Sequence, residues 1–363
     1  MTPNPFMPKA LISRHRELAE ITQILVADGD FLLVGVPGMG RRLLLQEAAH
    51  QANARLLAID CLRTTSAGSF LTSLATSLSL SFTSPEDLAL IRRWAPGHPL
   101  ELVEEADHTW HLRWTPSGGR EWPLFEALLA LPQYLAEKLH CRVVLVFQNF
   151  PHIRSWDRQG KWEAYLRQEI QRQSQVSYAL VATVVEPWVI ASGLRVVHLL
   201  PLADGDMEPW LTAAMAAEGL RFDPQDYALD RFLGYVQGHL GDAISLARRI
   251  WLDHQSQDAP EPMIRSAQVD SSLTVLLEDL TVTFESLLLL LPPSQVRVLE
   301  SLALDPTDSP QSRQYIKKHQ LSRGGGLQGA LNSLEQKGLI YGPEFGYRIA
   351  LPLLGLWLRK QLT

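Results

Sequence analysis

The segment GVPGMGRR, Gly35 to Arg42, holds the residue pattern with the most chemistry in it. Glycines at 35, 38 and 40 let a backbone curl tightly enough to turn its N–H groups inward on a phosphate, and a helix beginning at its end adds a favourable field. In the hydrolytic pattern G-x-x-x-x-G-K-[ST], the lysine reaches the β and γ phosphates and the hydroxyl binds magnesium. Here Arg41 stands at the lysine position and Arg42 at the hydroxyl position. Arg41 keeps a positive charge, but a planar guanidinium is bulkier than an ammonium and cannot occupy the same point; Arg42 cannot ligate a cation. Gly35, Gly38, Gly40, Arg41 and Arg42 are the candidate phosphate cradle, and an ordinary glycine-rich turn from strand to helix is the alternative.

A second stretch, RVVLVFQNFPHI from Arg142 to Ile153, is shaped like a strand that should end in an aspartate holding magnesium and a glutamate polarising the attacking water. Gln148 and Asn149 stand at those positions. An amide neither neutralises magnesium nor takes a proton from water. Two independent motifs have lost the same ion, so no catalytic residue and no metal ligand is assigned. ATP or ADP is expected to bind weakly or not at all, without productive magnesium. Asp60, at the end of the second predicted strand, is the nearby acid that an active enzyme would have to use.

The elements around these motifs alternate. An amphipathic helix over 16–27 precedes the apolar strand Phe31 to Val34, and a helix over 43–53 leads to a strand over 54–59. A helix over 69–79, one over 124–139, the strand 142–147, a helix over 162–172 and strands at 178–185 and 196–199 continue the alternation, which predicts a parallel, doubly wound sheet. The Pro-, Gly- and Trp-containing region 83–123 interrupts it and reads as an insertion bearing a hairpin, 100–103 with 109–115, and a turn at Ser117, Gly118 and Gly119. Trp110, Trp114 and Trp122 in or beside it are read as packing residues over a binding patch. Residues 206–252 read as helical with interruptions at Gly234, Gly238 and Gly241, followed by a polar boundary at 255–262.

With 46% apolar and 20% charged residues the chain is globular in composition, and 363 residues suggest more than one core. Cys61 and Cys141 are too few and too far apart for a disulfide framework or a thiolate zinc site, and the eleven histidines show no paired ligand spacing. The N-terminus has no secretory pattern, and the apolar run Leu287 to Leu291 is too short to span a bilayer, so a cytoplasmic protein without membrane contact is expected. The net charge of −6 excludes an all-over basic surface. It is uneven: from Gln311 to Thr363 eight Lys or Arg face Glu335 and Glu344, a net +6.

These stretches resemble the archaeal-type ATPases, a STAND-class branch of the AAA+ group, over most of the chain. SRHREL (Ser13 to Leu18) is similar to the family's G-R-x-x-E-L segment, with Ser13 in place of glycine. The likeness continues through GVPGMGRR and through Val143 to Thr183, where the family has an acid pair after one strand and usually Gly-Ser after the next, here Ala182 and Thr183. LLPL (Leu199 to Leu202) and GHLGDAISLARRIW (Gly238 to Trp251) resemble its helical lid, and PLLGLWLR (Pro352 to Arg359) resembles the end of its winged helix. The resemblance implies a P-loop AAA+-like core over 1–202, a helical lid over 203–262, and a linker helix with a winged-helix domain over 263–363. The resemblance implies a class often used as a switch in signalling, defence or mobile-element biology; a protein partner is expected, and a homo-oligomer is an open alternative.

The C-terminal order agrees: helices at 292–304, 313–319 and 327–337, then a hairpin of 339–341 with 347–350. Leu327, Ala330, Leu331 and Leu334 give the third helix its core face, leaving Gln328, Asn332, Ser333 and Gln336 outside. If the domain binds DNA, that polar face enters the major groove while Lys317, Lys318, Arg323 and Arg348 meet phosphates. The third helix offers amides but no base-reading arginine, so a solvated or partner-binding basic face is the competing interpretation. The function expected is a non-hydrolysing regulator or recruiter; the alternatives are a protein scaffold without DNA and an active nucleotide switch.

Overall fold

The computed structural model describes residues 4–105, 109–114, 121–170, 172–256, 261–322 and 324–363. The chain forms two compact units, one of Arg14–Val34 with Arg42–His198, the other of Met1–Ser13, Gly35–Arg41 and Leu199–Thr363.

In the first unit, α1 (His15–Val26) precedes β1 (Phe31–Val34), and α2 (Arg41–Gln51) precedes β2 (Ala54–Asp60). α3 (Ala67–Ser81) starts at a reciprocal cap between Ser66 and Ser69, and α4 (Pro85–Trp94) at another between Ser84 and Asp87. The hairpin β3 (Glu101–Glu104) and β4 (Trp110–Arg113) comes next, then α5 (Glu121–Leu139), β5 (Arg142–Gln148), α6 (Lys161–Glu169), β6 (Val176–Ala182), α7 (Pro187–Ser192) and β7 (Arg195–His198). Five strands make one parallel sheet in the order β2-β5-β6-β1-β7. Every residue of β1 and β6 is buried, which requires cover on both faces, as the apolar runs predicted. From β1 the chain passes to β2 at the far edge, whereas β7 is laid on the other side of β1. β1 is thus the switch point of the sheet, beyond whose carboxyl end open α/β sheets hold their ligands, and the glycine loop departs from that end.

The aromatic residues fix this unit's core. Phe70 of α3 stacks on Phe147 of β5 at 6.0 Å and meets Phe125, Trp156 and Trp162. Trp122 packs on Phe125, Trp162 and Tyr165, Arg92 covers Trp110, and Trp114 is half-buried against the same core, so all three tryptophans are packing residues. The region 83–123 holds more than the expected hairpin, because α4 occupies its first third. The hairpin is tied to α3 by the Leu112 N–H, which donates to the buried Ser79 Oγ at 2.9 Å. The turn expected at Ser117, Gly118 and Gly119 and the hairpin's last residue, Thr115, lie outside the described residues.

The second unit contains α8 (Asp204–Ala217), β8 (Arg221–Phe222), α9 (Ala228–Val236), α10 (Leu240–Gln255), β9 (Met263–Ile264), α11 (Ser266–Asp279) and α12 (Thr281–Leu289). α13 (Pro293–Leu304), α14 (Arg313–His319), α15 (Gly325–Gln336), β10 (Ile340–Tyr341), β11 (Arg348–Ile349) and α16 (Pro352–Leu362) complete it. One apolar cluster runs through it, from Leu211 and Phe232 by Leu246, Leu276 and Leu299 to Leu331 and Trp357. The helical stretch 206–252 is broken differently from expectation. Gly234 lies inside α9 and Gly241 in the first turn of α10; Gly238, at φ +76°, makes the turn between them. The stretch is also interrupted between α8 and α9, where β8 pairs in parallel with β9, the short strand that precedes α11. Three helices followed by the antiparallel β10-β11 pair give the winged-helix order, with Leu327, Ala330, Leu331 and Leu334 buried as predicted. No helix among the described residues is long and apolar enough to cross a membrane.

Candidate functional site

The glycine loop has the backbone that its residues foretell: Gly38 and Gly40 sit at φ +86° and +83°, a region open to glycine at little cost, and α2 opens at Arg41. The Arg41 guanidinium turns back on the loop and donates from Nη1 to the Gly35 carbonyl at 3.0 Å. Arg42 is exposed. A lysine ammonium at position 41 would be a point charge free to follow a phosphate; the planar fork is instead partly spent on the loop's own backbone.

What the sequence did not foretell is the hold of the turn between α9 and α10 on this loop. His239, the N-cap of α10, is only 4% exposed, and its Nε2 lies 2.9 Å from the Pro37 carbonyl, which can only accept. Nε2 therefore carries the proton. The Gly241 N–H donates to the Gly38 carbonyl at 2.9 Å. A Cβ at Gly38 would lie 2.6 Å from the imidazole, so the glycine is needed for the ring as well as for the backbone angle. The fragment GHLGD carries no helical or strand periodicity, and a lone histidine has no sequence signal of this kind; only the resemblance to a lid pointed at the segment.

The other imidazole nitrogen faces Asp242. The Asp242 N–H approaches Nδ1 at 3.1 Å and the Asp242 Oδ1 at 3.0 Å. Burial pulls the His239 pKa down, but the Asp242 carboxylate and the Pro37 carbonyl outweigh it, and the net shift is upward. A histidine raised in the folded state adds stability that is full below its unfolded pKa of about 6.5 and is lost as pH rises through the folded value. Thermal melts between about pH 6 and 9 should therefore show wild type losing more stability with rising pH than His239→Gln. Parallel curves for the two proteins would contradict this.

In the first unit, β5 ends at Gln148, paired in register with Asp60 of β2. Asn149 follows with a left-handed backbone, φ 53°. Its Nδ2 donates to Asp60 Oδ1 at 2.9 Å; the same oxygen accepts from the Leu62 N–H, and Oδ2 meets Arg63 at 3.4 Å. The acid nominated from the sequence thus touches the amide that stands in the glutamate's place. Two further acids, Glu163 of α6 and Glu186 shortly after β6, are claimed by arginine. Arg154 donates to both Glu163 and Glu186. Burial raises Glu186, yet Arg154, the Trp188 N–H and Arg167 outweigh it and hold the carboxyl below its ordinary range, which suits an ion pair and not a general base. Among the described residues no group of three His, Cys, Asp or Glu side chains is placed to hold a metal ion.

The basic segment is less available than its charge suggests. Lys318 pairs with Asp305 at 2.6 Å, and with His319 holds that carboxyl below its usual range. Lys337 bonds Ser333 and Gln295, Arg359 donates to the Ala303 carbonyl, and Lys360 meets Glu278. Lys317 and Arg313 are exposed, and Arg348 is exposed with its guanidinium over the Tyr341 ring at 5.2 Å. Arg323 lies outside the described residues. On α15, the half-buried Gln328 accepts from Gln311 and donates to Asn332 at 2.5 Å, so these amides form a chain, whereas Ser333 is turned to Gln295 of α13 at 3.0 Å.

Residues 282–360 match a family model described as a probable winged helix domain. Among solved structures the chain is similar to a Walker-type ATPase of Pyrococcus abyssi, at 14% identity and a TM-score of 0.67, covering 98% of this chain and 99% of that one. It is also similar to the Orc1 protein of Aeropyrum pernix in complex with DNA, at 14% identity and a TM-score of 0.52, covering 98% of this chain and 94% of that one. At such identities the likeness establishes the fold: a P-loop, AAA+-like parallel sheet with helices and a C-terminal winged helix. No curated protein matches the sequence.

Proposed function

We propose that this chain is a degenerate, STAND-class AAA+-type regulator or recruiter of the cytoplasm, which does not hydrolyse nucleotide, contacts DNA through its winged helix and meets protein partners elsewhere. The observation that carries the first half is Asn149. An amide stands where the water-activating acid is needed, and it is held in place by Asp60. Arg41 and Arg42 in place of lysine and hydroxyl act in the same direction, because neither serves magnesium. Support for the second half is the winged helix with exposed Arg313, Lys317 and Arg348, and the fold neighbour described in complex with DNA.

Calorimetry of ATP and ADP against the full chain, with and without magnesium, tests the nucleotide side. Weak or no heat, unchanged by magnesium, is the expected result; micromolar affinity that requires magnesium would overturn it. A scaffold without DNA contact is the second reading, and the internal pairing of Lys318, Lys337, Arg359 and Lys360 favours it.

A further inference from the structure

Asp242 belongs to two helix ends at once. It is in the first turn of α10, where its Oδ1 faces His239, and its Oδ2 accepts the N–H of Leu353 at 2.8 Å. Leu353 is in the first turn of α16, the helix that closes the winged helix, and its N–H is one of the donors that a helix start leaves without an internal partner. A carboxylate there is favoured by both helix dipoles. The bonds are continuous: the Pro37 carbonyl of the glycine loop takes the His239 Nε2–H, His239 Nδ1 faces Asp242, and Asp242 caps α16. Gly241 adds its own bond to Gly38, so the loop is held at two successive carbonyls.

We propose that the glycine loop and the winged helix are coupled through this relay, with His239 and Asp242 as positioning residues, so that whatever moves the loop shifts α16, and whatever moves α16 shifts the loop. It rests on the regulator reading, for which it supplies the regulation: an occupant of the loop and an occupant of the winged helix bias each other by displacing the same two side chains. Reciprocity is required of any such coupling, and its usual size is about five- to 150-fold.

Amide hydrogen exchange on the full chain tests it without nucleotide or DNA, so a failure of DNA binding and a failure of the relay are separate results. His239→Ala removes the bond to the loop and does not touch Leu353. It should speed exchange at Leu353 and Leu354 at least about fivefold. Asp270→Ala, which deletes a bond to Arg231 and Tyr235 in the same unit, should leave those amides unchanged. Faster exchange confined to the loop and the start of α10, or an equal rise in the Asp270 variant, would overturn the coupling. Should His239→Ala fail to fold, Asp242→Asn reads the relay from the other side: it keeps an oxygen for Leu353 but removes the charge facing His239. Exchange at Gly241, whose N–H is bonded to the Gly38 carbonyl, should then rise by a similar factor, and unchanged protection there would overturn the proposal.

Discussion

Gly238→Ala is expected to destabilise the second unit by about 3 kcal/mol or more, a large effect for one methyl group. Gly238 holds φ +76°, which an alanine adopts only with strain, and its Cβ would stand 2.2 Å from the Leu202 carbonyl oxygen and 2.8 Å from the Leu202 nitrogen. Those atoms are backbone, held by the bond from the Leu202 N–H to the Gly238 carbonyl at 3.0 Å, so no rotamer change relieves the clash. The displaced residue is next to His239, and the loop should loosen with it. Gly234→Ala is the control. Gly234 is exposed within α9 with open space around it, and the substitution should stabilise by about 0.5–1 kcal/mol. Urea midpoints of the two variants measure both; a Gly238 variant as stable as wild type would refute the packing described for this turn.

Duplex DNA retention by the full chain is expected to weaken about 40-fold when salt is raised fourfold, from about 50 to 200 mM. That figure assumes phosphate contacts by three of the exposed cations, Arg313, Lys317 and Arg348, each adding about −0.9 to the log-log slope. Lys317→Ala should flatten the slope by about one unit on every sequence. Lys318→Ala should do less, because Lys318 is already paired, and Asp305→Asn should steepen the slope by releasing it. Replacing Gln328 or Asn332 should alter sequence preference and leave the salt slope alone. Retention that is absent or insensitive to salt at low ionic strength would favour the scaffold.

The sheet was legible because its strands are continuous apolar runs, FLLV and RVVLVF, set between helical stretches, and such runs have few other uses in a chain with glycine loops between them. The winged helix was legible from the spacing of Leu327, Ala330, Leu331 and Leu334. α4 was missed because the Pro, Gly and Trp content of its surroundings reads as punctuation, although Ser84, Pro85 and Asp87 form a helix start. At the loop, the residue types at 35, 38, 40, 41 and 42 were plain, but the partners were not. Pro37 and Gly38 are bonded by residues some 200 positions away, and no local pattern encodes such a bond. The same holds for Lys318, whose charge was counted from the sequence and whose pairing with Asp305 only the fold could reveal.

Steady-state ATP hydrolysis by the full chain with magnesium bears most directly on the central claim that the hydrolytic machinery is gone. The expected rate is indistinguishable from background, and Arg41→Ala and Asp60→Asn should leave it there, since Asn149 and Arg42 supply neither a base nor a magnesium ligand. Magnesium-dependent turnover that disappears in Arg41→Ala would contradict the claim, and its further loss in Asp60→Asn would identify Asp60 as the acid that replaced the missing pair.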